Sequence, residues 1–516
     1  MKQFYLTTPL YYVNDVPHIG HAYTTIAADI LARWKRLNNE AVFFLTGTDE
    51  HGAKIAKAAE KTGETPAEFV NRIANEYKRM WTTLNISYDD FIQTSSNRHK
   101  AVVQDIFEKL KAKGDIYKGI YEDWYCIHDE SYFSESELID KKCPTCGREL
   151  QKLQEESYFF KLSGYAEKLL AYYEKHPKFL FPKHRSNEII NFVKSGLKDL
   201  SVSRTKVSWG IPLSSDPKHV VYVWFDALIN YITSPGYLTG KSEKGGFSFE
   251  TLWPADIHFV GKEIFRFHTV IWPAMLMALD LPLPVQVFAH GWWTVEGQKM
   301  SKSLGNVVDP HKMAEEYGVD AFRYFLFREV PFGADGDFSE KALLSRYNSE
   351  LANNLGNLFQ RTSTLLLKNL NGVIPEITIS SQILGDTKKL FSSIELLFEE
   401  KNLGGVLETL FGIMMKTNKF IDDSAPWTLG ADKLDDLSKI LLECLMVLKT
   451  LTVYLHPYMP TKTQEIWQRL GEKGNLSEEG KVVLALFAEG KYPQFFKNQT
   501  VLKGDPLFMR KGGRWK

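Results

Sequence analysis

Apolar positions in the first hundred residues switch between two periods. The opening QFYLTTPLYYV alternates as a strand, His21 to Leu37 carries apolar residues at helical spacing, and AVFFLTG, Ala41 to Gly47, is an apolar strand followed by further helices. Strands alternating with helices predict a parallel sheet with its ligand site at the carboxyl ends of the strands. His18 to His21 and TGTDEHG, Thr46 to Gly52, both follow such ends. From about Gly119 to Ser208 the chain turns aromatic, cysteine-bearing and rich in turns, and the α/β rhythm returns in VYVWFDALINYI and DIHFVGKEIFRFHTVIWPAML. That interruption reads as an insertion in the first domain. Beyond GQKMSKSLGNVVDP, Gly297 to Pro310, helical periodicity runs to the end: Asp309 and Pro310 make a helix start and Leu343 to Leu370 is a long amphipathic run. Only the tail RKGGRWK reads as disordered.

The 516 residues suggest two to four domains at about 150 residues each. Lys+Arg 63 is offset by Asp+Glu 63, which argues against a globally basic nucleic-acid binder but leaves room for a local basic face. The N-terminus lacks a small-residue cleavage site, and no uncharged apolar run approaches the roughly 18 residues of a membrane span. A cytoplasmic protein with no membrane partner is expected. Of the four cysteines, Cys126, Cys143 and Cys146 cluster, which in a reducing compartment suggests metal before disulfide; Cys444 sits in an apolar helical stretch as a small hydrophobe.

Chemistry concentrates in two short segments. Gly20 at the entry to a helix would let a phosphate approach backbone N–H groups at the positive end of the helix dipole, with His18 and His21 as flanking hydrogen-bond donors. KMSKS, Lys299 to Ser303, lies in a glycine-flanked polar loop that could close Lys299 and Lys302 over a phosphate chain. His-Ile-Gly-His and Lys-Met-Ser-Lys-Ser, in this order across an α/β domain, resemble the paired signatures of class I aminoacyl-tRNA synthetases. The resemblance implies two steps, in which a carboxylate attacks the α-phosphate of ATP and a tRNA ribose hydroxyl then takes the acyl group. It assigns His18, Gly20 and His21 to the α-phosphate region and Lys299 and Lys302 to pyrophosphate, with Mg²⁺ bridging phosphate oxygens. Asp256 is the expected ribose ligand, with Gly261 permitting close backbone approach.

Trp224, Ala227, Leu228 and Tyr231 fall at i, i+3, i+4 and i+7, one helix face. With TPLYYVN and FRFHTVIWPAML, this segment resembles the side-chain pocket of the methionyl-tRNA synthetase family. That resemblance implies L-methionine as substrate, a pocket of Leu10, Tyr12, Trp224, Ala227, Leu228, Tyr231, His268 and Trp272, and Asp49 as partner of the substrate ammonium. Aromatic and aliphatic walls suit a polarisable thioether. It also implies editing of homocysteine by cyclisation of its adenylate, because one methyl discriminates by only about 1–3 kcal/mol.

Cys143-Pro-Thr-Cys146 is half a zinc site and Cys126 a third thiolate, with Asp129 at the fourth position and His128 beside it. Structural Zn²⁺ on three cysteines plus Asp129 or His128, and a knuckle folding without metal, both remain open. Asn353, Asn357 and Arg361 form a polar helical stripe, and they and Trp427 resemble the family's anticodon-reading residues for tRNA(Met). The chain stops shortly after KGDPLFMR, so an appended dimerising domain is not expected and a monomer is. The expected organisation is a Rossmann-like α/β catalytic domain in two halves, 1–115 and 211–290, around an inserted knuckle domain, 116–210. Residues 291–345 then carry the KMSKS loop and stem contacts, and 346–516 a C-terminal α-helical anticodon-binding bundle. Two rival readings are a small nucleotidyltransferase, which would lack KMSKS and the helical third, and an inactive tRNA-binding paralogue, which would have lost His21, Asp49 or Lys302.

Overall fold

The structure, a computed structural model, describes residues 3–14, 16–126, 131–133, 138, 140–143, 147–300, 306–375, 377, 382–496 and 499–512. The central sheet consists of β1 (Gln3–Thr7), β2 (Tyr11–Tyr12), β3 (Ala41–Asp49), β4 (Asp90–Gln93), β5 (Leu180–Phe181), β6 (Ile257–Gly261) and β7 (Val287–His290). β4 and β1 flank β3, β2 continues on the β1 side, and β6, β7 and β5 follow in that order, all parallel.

A sheet covered on both faces needs apolar residues at both strand parities, and these strands have them. Phe43, Leu45, Tyr5, Val260, Val287 and Ala289 enter one core. Val42, Phe44, Leu6, Ile257, Phe259 and Phe288 enter the other. The second core is shared with the helical third: Trp34 of α1 (Ile19–Leu37) stacks on Phe398 at 4.2 Å and 8°. That third is built from helices including Leu403–Ser424, Leu434–Leu455, Pro460–Arg469 and Leu476–Glu489, and Cys444 is buried in it.

The insertion expected over 116–210 is only partly separate. Ile116–Cys126 and Gln151–Phe160 do form a long antiparallel hairpin outside the central sheet. Between that hairpin and residue 210, however, β5 is an edge strand of the central sheet, Leu180 pairing with Val287 and Phe181 with Phe288. A two-residue strand carries too little period to be read from sequence. The run from Leu343 to Leu370 is helical as expected, but Tyr347–Gly356 is wound as wider π turns before the α-helix resumes at Asn357. The tail is ordered at its start: Lys511 N–H donates to Asn348 Oδ1 at 3.0 Å, and Asn348 Nδ2 donates to the Lys511 carbonyl at 2.9 Å. Among the described residues no helix is long and apolar enough to cross a membrane.

Candidate active site

α1 begins with an unusual cap. Ser, Thr, Asp or Asn ordinarily accepts the first free N–H groups of a helix; here His18 Nδ1 accepts from Gly20 N–H, and His21 Nδ1 accepts from His18 N–H, both at 3.1 Å. The two rings lie 3.9 Å apart. A Cβ on Gly20 would sit 3.0 Å from His18 Cε1, so the glycine also makes room for the capping ring. Burial, aided by His18, holds His21 well below the ordinary imidazole range. It is therefore neutral at pH 7, and with Nδ1 accepting, its hydrogen is on Nε2.

That N-terminus borders a cavity of about 1310 Å³ at the carboxyl ends of the strands, lined by Leu10, Tyr12, His18, Gly20, His21, Asp49, Gly261 and Glu263 among others. Asp49 ends β3. Burial, then the charges of Asp226 and Glu50, push its carboxyl well above the usual carboxylate range, and its Oδ1 is buried with no hydrogen-bond partner. A buried carboxyl without a partner is satisfied either by a proton or by a cation.

Trp224, Ala227, Leu228, Tyr231 and His268 line the same cavity. Trp224 stacks face to face on Phe267 at 3.8 Å. His268 Nδ1 is 2.9 Å from the Ile264 carbonyl and Nε2 is 2.7 Å from the Tyr231 hydroxyl. Only a donor can face a carbonyl, so Nδ1 carries the hydrogen and Nε2 accepts from Tyr231. Burial lowers the His268 pKa to about 4, keeping this wall uncharged at neutral pH.

Two expected ligands lie elsewhere. Asp256 precedes β6 at its amino end, away from the cavity, where its Oδ2 accepts the Tyr5 N–H at 2.9 Å. The acidic residue at the carboxyl end is Glu263, which lines the cavity and accepts from Trp292 Nε1 at 2.6 Å; a Cβ on Gly261 would meet that carboxylate at 2.5 Å. Trp272 is fully buried behind the wall, 5.9 Å from the Tyr231 ring, and does not line the cavity. The widened helical turn over Phe267–Ile271 precedes it and alters the phase that a regular helix would give.

Comparison with known proteins gives the same reading of the chain. The family described as tRNA synthetases class I (M) matches residues 4–153 and 149–363, and an anticodon-binding domain of tRNA ligase matches residues 381–503. A methionine–tRNA ligase of Caldanaerobacter subterraneus subsp. tengcongensis is 49% identical over 99% of this chain and 79% of its own length. One from Rickettsia conorii is 46% identical over 91% of this chain and 92% of its own. Mycobacterium tuberculosis methionyl-tRNA synthetase in complex with methionyl-adenylate superposes with a TM-score of 0.90 at 38% identity, covering 99% of this chain and 100% of that one. The chain belongs to the methionyl-tRNA synthetase family. Its reaction is that of a class I methionine–tRNA ligase: methionine and ATP give methionyl-adenylate and pyrophosphate, and the methionyl group passes to tRNA.

Several expected residues of this synthetase fall outside the described ones: Lys302, the side chain of Lys299, and the knuckle's Asp129, Cys146 and Cys126 side chain. The Lys299 backbone pairs with Thr294, and neighbouring Met300 lines the cavity, so the motif starts at the cavity rim. Of the four expected zinc ligands, Cys143 is the one whose side chain is described, and it is buried. Among the described residues, Glu156, Asp216 and His219 could geometrically hold an ion. Lys118 already pairs with both carboxylates and Lys218 with Glu156, leaving little charge for a cation.

In the helical third, Asn353 and Asn357 are exposed and line a cleft of about 410 Å³ with Phe508 and Arg510. Arg361 Nη2 donates to Asp422 Oδ1 at 2.6 Å, and its guanidinium lies 5.0 Å from the Trp427 ring, which is 52% exposed. Sequence reasoning missed His51, Arg204, Glu263 and His290, all of which line the cavity. For His51 and Glu263 a signal was present, since each follows the carboxyl end of a parallel strand.

Proposed function

We propose that the cavity holds methionine and ATP side by side, with Asp49 as the partner of the substrate ammonium. The observation that carries this is the buried, unpaired Oδ1 of Asp49 beside an uncharged wall of Trp224, Ala227, Leu228, Tyr231 and His268. Such a wall suits a thioether, and a single desolvated carboxylate suits one ammonium. Leu10 and Tyr12 close the pocket beside Asp49.

His18 and His21 then donate Nε2–H to the α-phosphate region, and neutral His21 stabilises developing charge as a dipole. The Gly20 N–H is already engaged by the His18 ring, so the ring hydrogens are the stronger candidates. Glu263 replaces Asp256 as the ribose ligand, with Gly261 admitting the nucleotide. Lys299 and Lys302 are assigned to pyrophosphate on the strength of their motif. Mg²⁺ would be held chiefly by the oxygens of the substrate phosphates.

An Asp49 carboxyl with a raised pKa must lose its proton to hold an ammonium. kcat/KM for methionine, which reports the free enzyme, is therefore expected to keep climbing with pH above the range in which an ordinary carboxylate has finished ionising. A profile flat above that range would remove Asp49 from the ammonium site.

Asn353, Asn357, Arg361 and Trp427 form the proposed anticodon surface, the amides reading base edges and the exposed indole stacking a base. Base stacking is worth about 1–3 kcal/mol, so Trp427→Ala is expected to raise KM for tRNA about tenfold or more. Methionine-dependent pyrophosphate exchange without tRNA should be unchanged. Loss of exchange instead would mark Trp427 as structural.

A further inference from the structure

We propose that His51 is a second acceptor for the substrate ammonium, with Asp226 as the positioning residue that holds its ring. This rests on the methionine reading of the cavity.

The sequence after β3 keeps its two-residue alternation, which separates neighbouring carboxylates. Glu50 is turned inward, where Thr48 Oγ1 donates to it at 2.6 Å and Gln93 Nε2 at 2.9 Å. Asp49 and His51 line the cavity. His51 is 1% exposed, and its Nδ1 lies 2.6 Å from Asp226 Oδ2. The other oxygen of Asp226 lies 2.8 Å from His99 Nε2, and His99 Nδ1 lies 3.1 Å from Thr233 Oγ1. Hydrogen bonds from the two facing rings favour the ionised form of Asp226 whether or not either ring is charged, which makes it an acceptor.

An acceptor-only carboxylate requires a hydrogen on the ring nitrogen it faces. In the neutral ring this places the lone pair of His51 on Nε2, which is buried with no hydrogen-bond partner. Trp209 braces the loop: its Nε1 donates to the Glu50 carbonyl at 2.5 Å, its carbonyl accepts the Gly52 N–H at 3.0 Å, and its ring meets His51 edge-on at 5.5 Å. Two orphaned acceptors, Asp49 Oδ1 and His51 Nε2, thus belong to one cavity wall. A group with several hydrogens and a positive charge satisfies both, and an ammonium has three N–H bonds. Two fixed acceptors would orient the amine and, through it, the carboxylate that attacks ATP.

The test compares His51→Leu, His51→Gln and Asp226→Asn with the unaltered enzyme, using two probes. Methioninol keeps the ammonium and lacks the carboxylate; 4-(methylthio)butanoate lacks the ammonium. His51→Leu and Asp226→Asn are expected to raise KM for methionine and weaken methioninol about tenfold or more, as one charge-assisted hydrogen bond would. KM for ATP and inhibition by the amine-free acid should be unchanged, and His51→Gln, which retains an acceptor, should recover part of the loss. Equal losses for both probes, or methioninol binding unchanged, would overturn the proposal. If His51→Leu fails to fold, the unaltered enzyme with nitrogen-labelled histidine decides: methioninol, and not the amine-free acid, should shift the His51 Nε2 resonance, and no shift overturns it. An unaltered enzyme that binds neither methionine nor methioninol would instead remove the methionine reading itself.

Discussion

Asp49→Asn is expected to cripple methionine activation and at the same time to raise the melting temperature. Losing one partner of a buried charge pair costs about 2–5 kcal/mol of binding, so kcat/KM for methionine should fall by about 30-fold to several thousand-fold. The stability effect has the opposite sign. Burial and the neighbouring charges of Asp226 and Glu50 raise the Asp49 pKa in the fold, so the ionised carboxylate opposes folding at every pH above its unfolded value of about 4. Asparagine removes that opposition. Each kcal/mol relieved should add about 1 °C at neutral pH for a chain of 516 residues. A gain that vanishes below about pH 4 would fit this origin, since both states are then protonated. Exchange retained within a few-fold, or a lowered melting temperature at neutral pH, would contradict the assignment.

Arg323→Met is expected to give the largest loss of stability. Arg323 is fully buried where the α/β domain meets the helical third. Its Nη2 donates to Asp29 Oδ2 at 2.7 Å and to the Pro457 carbonyl at 2.8 Å, while Nε reaches the Tyr458 carbonyl and Nη1 the Leu84 carbonyl, each at 3.0 Å. Removing it strips four acceptors at once and leaves the Asp29 carboxylate, among the described residues, with Arg33 as its one cationic partner. Breaking such a pair from one side costs about 3–5 kcal/mol. In the intact protein burial would raise the Asp29 carboxyl, but Arg33 and Arg323 hold it far below the usual range. Its stabilising contribution is present above about pH 4, the unfolded value, and lost as pH falls toward the folded one. Without Arg323 that contribution shrinks, so the deficit of the variant in chemical denaturation should be largest near neutrality and narrow in acid. Asp29→Asn combined with Arg323→Met should recover part of the loss. A deficit below about 1 kcal/mol would show that the junction is held by packing, such as Trp34 on Phe398.

Local chemistry was legible in the sequence and long-range geometry was not. His18, Gly20 and His21 build their cap within four residues, so spacing alone placed them at a helix start. The alternating strands and their ligand-bearing ends were readable because strand and helix periods differ. Asp256 was misread because the segment offered acidic residues at both ends of one strand, and only the carboxyl end, with Glu263, faces the cavity. Trp272 was named from the family resemblance and not from any local pattern, and it lies behind the Tyr231 ring without lining the cavity. Arg323 contacts Asp29 across 294 positions, and nothing in the local pattern separates it from a surface arginine. Sequence separation likewise hid Asp226, which joins His51 and His99 across 175 and 127 positions.

The measurement that tests the account most directly is amino-acid-dependent exchange of pyrophosphate into ATP, run with each of the twenty amino acids, Mg²⁺ and no tRNA. The geometry predicts exchange with methionine, and none with the other nineteen approaching its rate. Efficient exchange with a different amino acid, or none with methionine, would contradict the assignment of Asp49 and the Trp224 to His268 wall as its binding site.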